Sequence, residues 1–152
     1  MCLSLYRGEH SIFQDKVRKA KKKILCWKIY DISGFPLSRR LRSPYKNQYV
    51  TGPGKVISNR KGTALTRLEI EGIQVCRGIH VYTKKEIAEI FISYISKYKK
   101  WINGVTVPTV TRGVLVPVWC DPKDFVAESF DENEAVFTKV TITKHAFKNA
   151  IK

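Results

Sequence analysis

A nearly unbroken apolar run at residues 24–32 (ILCWKIYDI) is the strongest constraint on how this 152-residue chain can fold. The run is rich in β-branched and aromatic residues, and the strand-ending residues Gly34 and Pro36 follow it. An apolar segment of this length, bounded by turn residues, is typical of a buried strand. We therefore expect residues 24–32 to form a central strand.

Shorter strands are expected along the rest of the chain, where turn residues separate β-branched and aromatic segments. Gly78 predicts a bulge or a close backbone approach, and Pro117 places its strand toward an edge or at a bulge. Two of the segments are expected to pair as a hairpin across Glu71 and Gly72. The expected strands cover residues 49–50, 55–58, 64–70, 73–76, 78–82, 114–120, 125–129 and 135–143.

One long amphipathic helix is predicted at about residues 84–100. Thr83 and Glu86 have the spacing of a capping box, and apolar side chains recur every three or four residues through 87–98. The Asn-Gly pair at 103–104 is expected to stop the helix.

Residues 10–23 (HSIFQDKVRKAKKK) allow two interpretations. They form either a short basic helix capped by Ser11 and Gln14 or a mobile basic arm. The order of strands, one helix and further strands predicts the α+β class with a mainly antiparallel sheet. The length suits a single domain spanning residues 1–152.

Positive charge is concentrated in the first 63 residues. That part carries 15 Lys and Arg against three acidic residues, a net charge of +12 within a formal total of +15. A potential of one sign attracts phosphate-bearing molecules. We therefore expect a basic surface that binds a phosphate-rich partner, either nucleic acid or a nucleotide such as a signal of host defence.

The candidate contacts with that partner combine guanidinium, ammonium and aromatic groups. Arginine can grip a phosphate with two parallel hydrogen bonds, and Tyr45 or Tyr49 can stack on a base. The lysine cluster adds attraction that does not depend on sequence. The competing interpretation is a solvated basic loop. The predicted contacts are Lys19, Lys21, Lys22, Lys23, Arg39, Arg40, Arg42, Tyr45, Lys46, Lys55, Arg60 and Lys61.

Signals of catalysis are weak in this sequence. His80 is the best candidate for a ligand contact because it lies in a short strand after Gly78, although a hydrogen-bonded structural histidine is the simpler interpretation. The acidic residues of 121–134 fall in polar turns and read as a solvated loop. The sequence has no nucleophile motif and no paired metal-ligand spacing. We therefore expect binding rather than catalysis, with no catalytic residue, metal or cofactor.

The location is expected to be intracellular. No apolar run approaches the ~18 residues that a membrane-spanning helix needs, so a membrane partner is not expected. The first ten residues lack the charge-then-apolar order of a signal peptide. The four cysteines are far apart, which is typical of free thiols in a reducing compartment.

Five short segments occur together in this chain: MCL at 1–3, CWKIY at 26–30, SPY at 43–45, RGIHVY at 77–82, and a stretch that starts at Val116 and ends in DPKDFVA at 121–127. The set resembles a loose group of small proteins from bacteriophages, prophages and large DNA viruses. The resemblance implies a viral origin, with the host cytoplasm or the virion as the location. It assigns no functional residue.

A second resemblance concerns GIHVY at 78–82, which precedes the predicted helix and a valine-rich strand. This arrangement is similar to the ADP-ribosyltransferase superfamily, and Glu69 and Glu71 are similar to the E-x-E of its toxin-type branch. The pair lies too early in the chain, however, and follows no serine motif. A nucleotide-processing or transferase-like enzyme using His80 is thus one alternative. A virion or assembly protein that contacts packaged genome is another.

Overall fold

The computed structural model describes residues 3–4, 17, 19–34, 38–43, 48–57, 65–69, 72–75, 78–95, 99–102, 104–108, 112–128 and 133–152. Every strand pairing among these residues is antiparallel. The α+β class and the mainly antiparallel sheet are therefore confirmed. No helix in the described part of the chain is long and apolar enough to cross a membrane.

Strands dominate the described residues, and two helices accompany them. The strands are β1 (Leu3–Ser4), β2 (Ile24–Ser33), β3 (Arg40–Arg42), β4 (Tyr49–Val50), β5 (Gly54–Ile57), β6 (Leu65–Glu69), β7 (Gly72–Val75), β8 (Ile79–Tyr82), β9 (Lys99–Ile102), β10 (Val105–Pro108), β11 (Gly113–Cys120), β12 (Phe125–Glu128), β13 (Glu134–Phe137) and β14 (Lys139–Ile142). The helices are α1 (Lys85–Ile95) and α2 (Lys144–Ala150), and a single 3-10 turn covers Pro122–Asp124.

The apolar run forms the middle of the main sheet, as predicted. The strand order is β12-β13-β8-β2-β11-β14-β5, and β3 pairs with the far end of β2 and with β4. The longest ladder joins β2 to β11, from Ile24 opposite Cys120 to Asp31 opposite Gly113. Two smaller sheets, β1-β7-β6 and β10-β9, complete the strands. The first of these contains the predicted hairpin, with Glu69 opposite Gly72.

A link of one residue forces the main sheet to curl. β13 and β14 stand four places apart in the strand order, roughly 19 Å in a flat sheet. Thr138 alone connects them, which limits the Cα distance between Phe137 and Lys139 to about 7 Å. The amide of Thr138 donates to the carbonyl oxygen of Asp124, 2.9 Å away. The sheet therefore closes on itself into a shape that is nearly a barrel.

The two faces of the curled sheet bury different clusters. Inside, the fully buried Leu41, Val116, Val118 and Phe137 pack together, and α2 adds the side chain of Phe147 to this cluster.

Outside, α1 covers part of the sheet. Its buried Ala88 packs with Ile29 and Tyr82, and the ring of Phe91 stacks on Tyr82 with a centroid distance of 5.2 Å. Leu115 packs against this second cluster from β11. The inner face is thus the main core, whereas the outer face has a helix over only a part of it.

Two strand predictions need correction. The segment 135–143 is not one strand, because Thr138 separates β13 from β14 and sends them to different positions in the sheet. Pro117 is not on an edge strand, because β11 lies between β2 and β14. The register pair with β14 is at Trp119, two residues beyond the proline.

The helix predictions are correct only in part. The expected helix at 84–100 is observed over Lys85–Ile95, and Lys99 and Lys100 belong to strand β9, so its predicted end is wrong. Residues 96–98 lie outside the described residues. Nothing in the apolar period warned of this end, since Tyr98 continues it.

Helix α2 was not predicted, because seven residues are too few to display a helical period. Its start is set by Thr143, whose hydroxyl oxygen accepts a hydrogen bond from the amide of Ala146.

At the start of the chain, Val17 and Lys19 have helical backbone, and Val17 is buried in the inner cluster. Residues 5–16 and 18 lie outside the described residues.

The close approach predicted at Gly78 is confirmed. Its φ is +101°, and a Cβ there would come within 2.5 Å of Val136 Cγ1. Gly54 has a similar φ of +124° but no atom within 4 Å of such a Cβ. Comparing substitutions at Gly54 and Gly78 therefore distinguishes the cost of backbone strain from the cost of steric overlap.

We expect Gly78→Ala to lower the free energy of unfolding by about 2–4 kcal/mol, since it adds overlap with β13 to left-handed backbone strain. Gly54→Ala carries the strain alone and should cost about 1–2 kcal/mol. Urea denaturation of the two variants measures the difference. Equal losses in the two would show that the contact with Val136 relaxes freely.

Polar groups are also present inside the curl. Tyr30 is 1% exposed, and its hydroxyl has no hydrogen-bond partner among the described residues. Burial raises the pKa of Tyr30 far above its usual range, and the nearby Cys120 adds to the effect. Cys26 and Cys120 are buried free thiols, and a hydrogen bond between them raises the pKa of Cys120 as well. The interior therefore keeps Tyr30 and Cys120 uncharged.

Tyr30→Phe is expected to raise stability by about 1 kcal/mol, because it removes a buried hydroxyl that makes no hydrogen bond to the described residues. The unfolded chain ionises this tyrosine near pH 10 and the folded chain does not, so the native protein loses stability as the pH rises above about 10. The variant should lose less over the same range. Thermal denaturation from pH 8 to 11 tests this, with Tyr94→Phe on the exposed side of α1 as the control. Parallel curves for the native protein and Tyr30→Phe would contradict it.

Candidate functional site

The three arginines predicted to grip phosphate do not form one cluster. Arg40 and Arg42 lie on the outer face of β3, where the buried Leu41 between them faces the core. The half-buried Arg39 lies just before the strand, and its Nη1 donates to the carbonyl oxygen of Ile151, 3.0 Å away, at the end of α2. The three guanidiniums thus belong to different environments.

Arg42 is engaged in the most buried ion pair of the described residues. Its Nη2 lies 2.6 Å from Oδ2 of Asp31, whose side chain is only 4% exposed. The other carboxylate oxygen accepts a hydrogen bond from the backbone amide of Arg112, 2.8 Å away. This arrangement joins β2, β3 and the start of β11. It gives Arg42 a structural role and offsets most of its charge.

The guanidinium of Arg40 is more accessible to a binding partner than those of Arg39 and Arg42. Its guanidinium lies over the ring of Tyr49, 3.9 Å from the ring centroid, and both residues are exposed. Such cation–π contacts stabilise exposed pairs by about 0.5–1 kcal/mol and leave the guanidinium edge open to solvent. One face of Tyr49, a residue suggested for base stacking, is therefore already occupied by Arg40.

The lysines at the start of β2 are exposed. Lys19, Lys21, Lys22 and Lys23 all lie on the surface immediately before the strand. They are held close to the domain because Val17 and Ala20 pack against the inner cluster. Lys23 directly precedes Ile24, which pairs with Cys120 at the end of β11.

Lys55 lies on the outer side of β5 and is exposed, while its neighbour Val56 points into the core. The remaining predicted contacts, Tyr45, Lys46, Arg60 and Lys61, lie outside the described residues. The strand pairing thus places Lys55 at one side of the outer face and the lysines 21–23 at another.

A row of side chains runs from Lys55 toward the lysines that precede β2. Trp119 on β11 is opposite Leu25 on β2 and opposite Thr141 on β14, and Thr141 is in turn opposite Lys55 on β5. Leu25 and Trp119 are each 38% exposed, and Ile57, two residues beyond Lys55, is 61% exposed. We call these five residues the Trp119 face.

Several cations elsewhere in the described structure are engaged, although Lys84, Lys144 and Lys148 are exposed and form no ion pair there. Lys123 lies 3.7 Å from the carboxylate of Asp121, and Lys139 lies 3.9 Å from that of Asp124. Lys28 donates to the carbonyl oxygen of His80 from 3.0 Å. Within the described part of the chain, by contrast, Lys55 and the lysines at 19 and 21–23 form no ion pair. Their charge is available to a partner in solution.

The two described residues of the enzyme alternative belong to different sheets. His80 is half-buried on β8, where it faces Val136 across the β8–β13 ladder. Glu69 lies on β6, in the separate three-stranded sheet, and Glu71 lies outside the described residues. The described residues contain no group of three or more His, Cys, Asp or Glu that could hold a metal ion.

Comparison of the chain with protein-family models, with curated proteins and with solved structures gives no match in any of the three.

Trp119 was missed as a candidate residue. The strand at 114–120 was predicted, and side chains alternate between the two faces of a strand. Val116, Val118 and Cys120 point inward, so Trp119 lies on the outer face. The strand is apolar at almost every position, so the sequence does not show which side is covered.

Arg42 and Arg40 are expected to respond differently to truncation. Arg42→Ala leaves the carboxylate of Asp31 buried without its cation and should cost about 3–5 kcal/mol of stability. Arg40→Ala removes an exposed contact and should cost no more than about 1 kcal/mol. Denaturation of the two variants in urea measures the contrast. A small loss for Arg42→Ala would mean that water replaces the guanidinium at Asp31.

Proposed function

We propose that the protein binds a phosphate-rich partner, a nucleic acid or a nucleotide, through lysines that border the outer face of the sheet. The observation that carries the proposal is the grouping of unpaired cations around one cross-strand row of the sheet. Lys21, Lys22, Lys23 and Lys55 are exposed and form no ion pair in the described structure, whereas Arg42 is paired. Phosphate oxygens are the partner that such clustered ammonium groups attract best.

The arrangement of the lysines supports an extended contact. β2 and β5 are three strand spacings apart across β11 and β14, roughly 14 Å. The side-chain amide of Gln48 donates to the carbonyl oxygen of Ile57, 2.8 Å away, which holds the start of β4 beside the end of β5. The exposed Arg40–Tyr49 pair therefore lies next to the Trp119 face. Cations thus occur on more than one side of the same surface.

The acidic residues near this surface do not cancel its charge. The carboxylate of Asp121 is next to Lys123, and that of Asp124 is next to Lys139, so each acid is matched by a cation of its own. The lysines at 21–23 and at 55 remain as excess positive charge. This is the distribution expected of a surface that neutralises phosphates and releases their counterions on binding.

Replacing Lys21, Lys22 and Lys23 together with Ala should weaken binding of a fluorescein-labelled 20-residue oligo(dT). The slope of log K against log salt concentration should become less steep by up to about 2, because each phosphate contact on a single strand contributes about 0.7. Anisotropy titrations between 50 and 200 mM NaCl measure both quantities.

The matched control removes three exposed lysines elsewhere, with Lys84, Lys144 and Lys148 replaced by Ala. It changes the net charge by the same amount. Equal losses in the two triple variants would show a general charge effect and contradict a local phosphate site. Absence of oligonucleotide binding, together with binding of a mononucleotide or dinucleotide in the same assay, would instead identify the small-ligand form of the proposal.

A further inference from the structure

The Trp119 face combines features that lysines alone do not explain. It places an exposed indole at the middle of a cross-strand row, with Leu25 on one side and Thr141 on the other. A large apolar side chain that remains 38% exposed in the open part of a sheet is not part of the core. Contiguous apolar groups exposed on a surface commonly mark a binding site.

Helix α1 covers the part of the outer face that lies beside the Trp119 face and does not extend over it. α1 packs over Ile29, Tyr82 and Leu115, and Trp27 lies at the border of that cluster. Leu25 is the next residue of β2 on the same face, and it is exposed. The described structure therefore holds one part of the face under a helix and leaves Trp119 open to solvent.

Charge surrounds this aromatic centre. Lys55 ends the row on β5, and Lys23 is two residues before Leu25 at the start of β2. An indole between Lys55 and the unpaired lysines that precede β2 matches the two parts of a nucleotide, the base and the phosphate. A base can stack on the indole while the phosphates on either side reach the lysines.

We infer that the Trp119 face is a base-stacking platform for single-stranded nucleic acid. This inference rests on the proposed function and adds that the partner is single-stranded and that its bases stack on Trp119. In a duplex the faces of the bases are stacked on one another and hidden from a side chain on the surface of a sheet, whereas a single strand can present them. The contact is expected to be tolerant of sequence, because every base has a face that can stack.

The charge favours this occupant over a second protein. The centres of protein interfaces are depleted in lysine, and here Lys55 lies within the row itself. A second copy of this chain would bring the same positive groups face to face, which is unfavourable. An anionic lipid surface also suits lysine with tryptophan, and the experiment below includes it as an outcome.

The test uses the full chain and labelled 12-residue single strands, oligo(dT) and oligo(rU), with a 12-base-pair duplex in parallel. Trp119→Ala should weaken single-strand binding roughly 5- to 150-fold, which corresponds to the loss of one stacked base. Trp119→Phe keeps an aromatic ring and should retain affinity within about threefold. Tyr94→Ala, which removes an exposed aromatic residue from α1, serves as the matched control and should bind as the native protein does.

Salt dependence separates this inference from the proposed function. Trp119→Ala should reduce affinity and keep the slope of log K against log salt, because the phosphate contacts remain. Lys55→Ala should make the slope less steep. If the lysine variants weaken binding and Trp119→Ala does not, the phosphate site stands and the stacking platform is wrong. If no nucleic acid or nucleotide binds at all, both are wrong.

A second variant guards against misfolding of Trp119→Ala. Thr141→Glu keeps the indole and puts a carboxylate next to it, so it should also weaken single-strand binding. Three further results would overturn the inference. They are equal binding of duplex and single strand, a dimer in sedimentation that Trp119→Ala dissolves, and binding to phosphatidylserine vesicles but not to either oligonucleotide.

Discussion

The connection through Thr138 is the constraint on which the rest of this structure depends. Because one residue joins two strands that stand four places apart in the sheet, the sheet has to curl. Curling gives the sheet a concave side that buries the valines and Phe137, and a convex side that a single short helix cannot cover. The main core and the exposed outer face are therefore consequences of the same connection.

The ion pair of Asp31 with Arg42 serves the same architecture. It sits where β3 joins the end of β2, opposite the start of β11, and Asp31 also accepts the amide of Arg112. The carboxylate of Asp31 thus connects β2, β3 and the start of β11, although the cost of burying the two charges offsets much of their attraction. Part of the basic charge of this chain is thus structural, which the total charge could not reveal.

Much of the fold could be predicted from local patterns. The central strand was evident because residues 24–32 are apolar at almost every position on both sides of the strand. The close approach at Gly78 was indicated by an isolated glycine within a strand pattern, and the structure shows that Val136 is the residue approached. The break at Thr138 could not be found, since a β-branched residue between two β-branched segments continues the strand pattern. The end of α1 was missed for a similar reason. The break at Thr138 depends on partners distant in sequence, because β13 pairs with β8 and β14 pairs with β11 and β5.

The sequence predicted the positive charge of the candidate surface but not which residues lie next to one another on it. Composition located the lysines, but only the strand pairing shows that Lys55 and the lysines preceding β2 border the same row. The three predicted arginines make different contacts. Arg39 donates a hydrogen bond to the end of α2, Arg42 forms an ion pair with Asp31, and Arg40 lies over the ring of Tyr49. What remains is a group of unpaired ammonium ions around an exposed indole. Because phosphate attraction and base stacking use different atoms of a nucleotide, such a surface can be sensitive to salt through its lysines and to strandedness through Trp119.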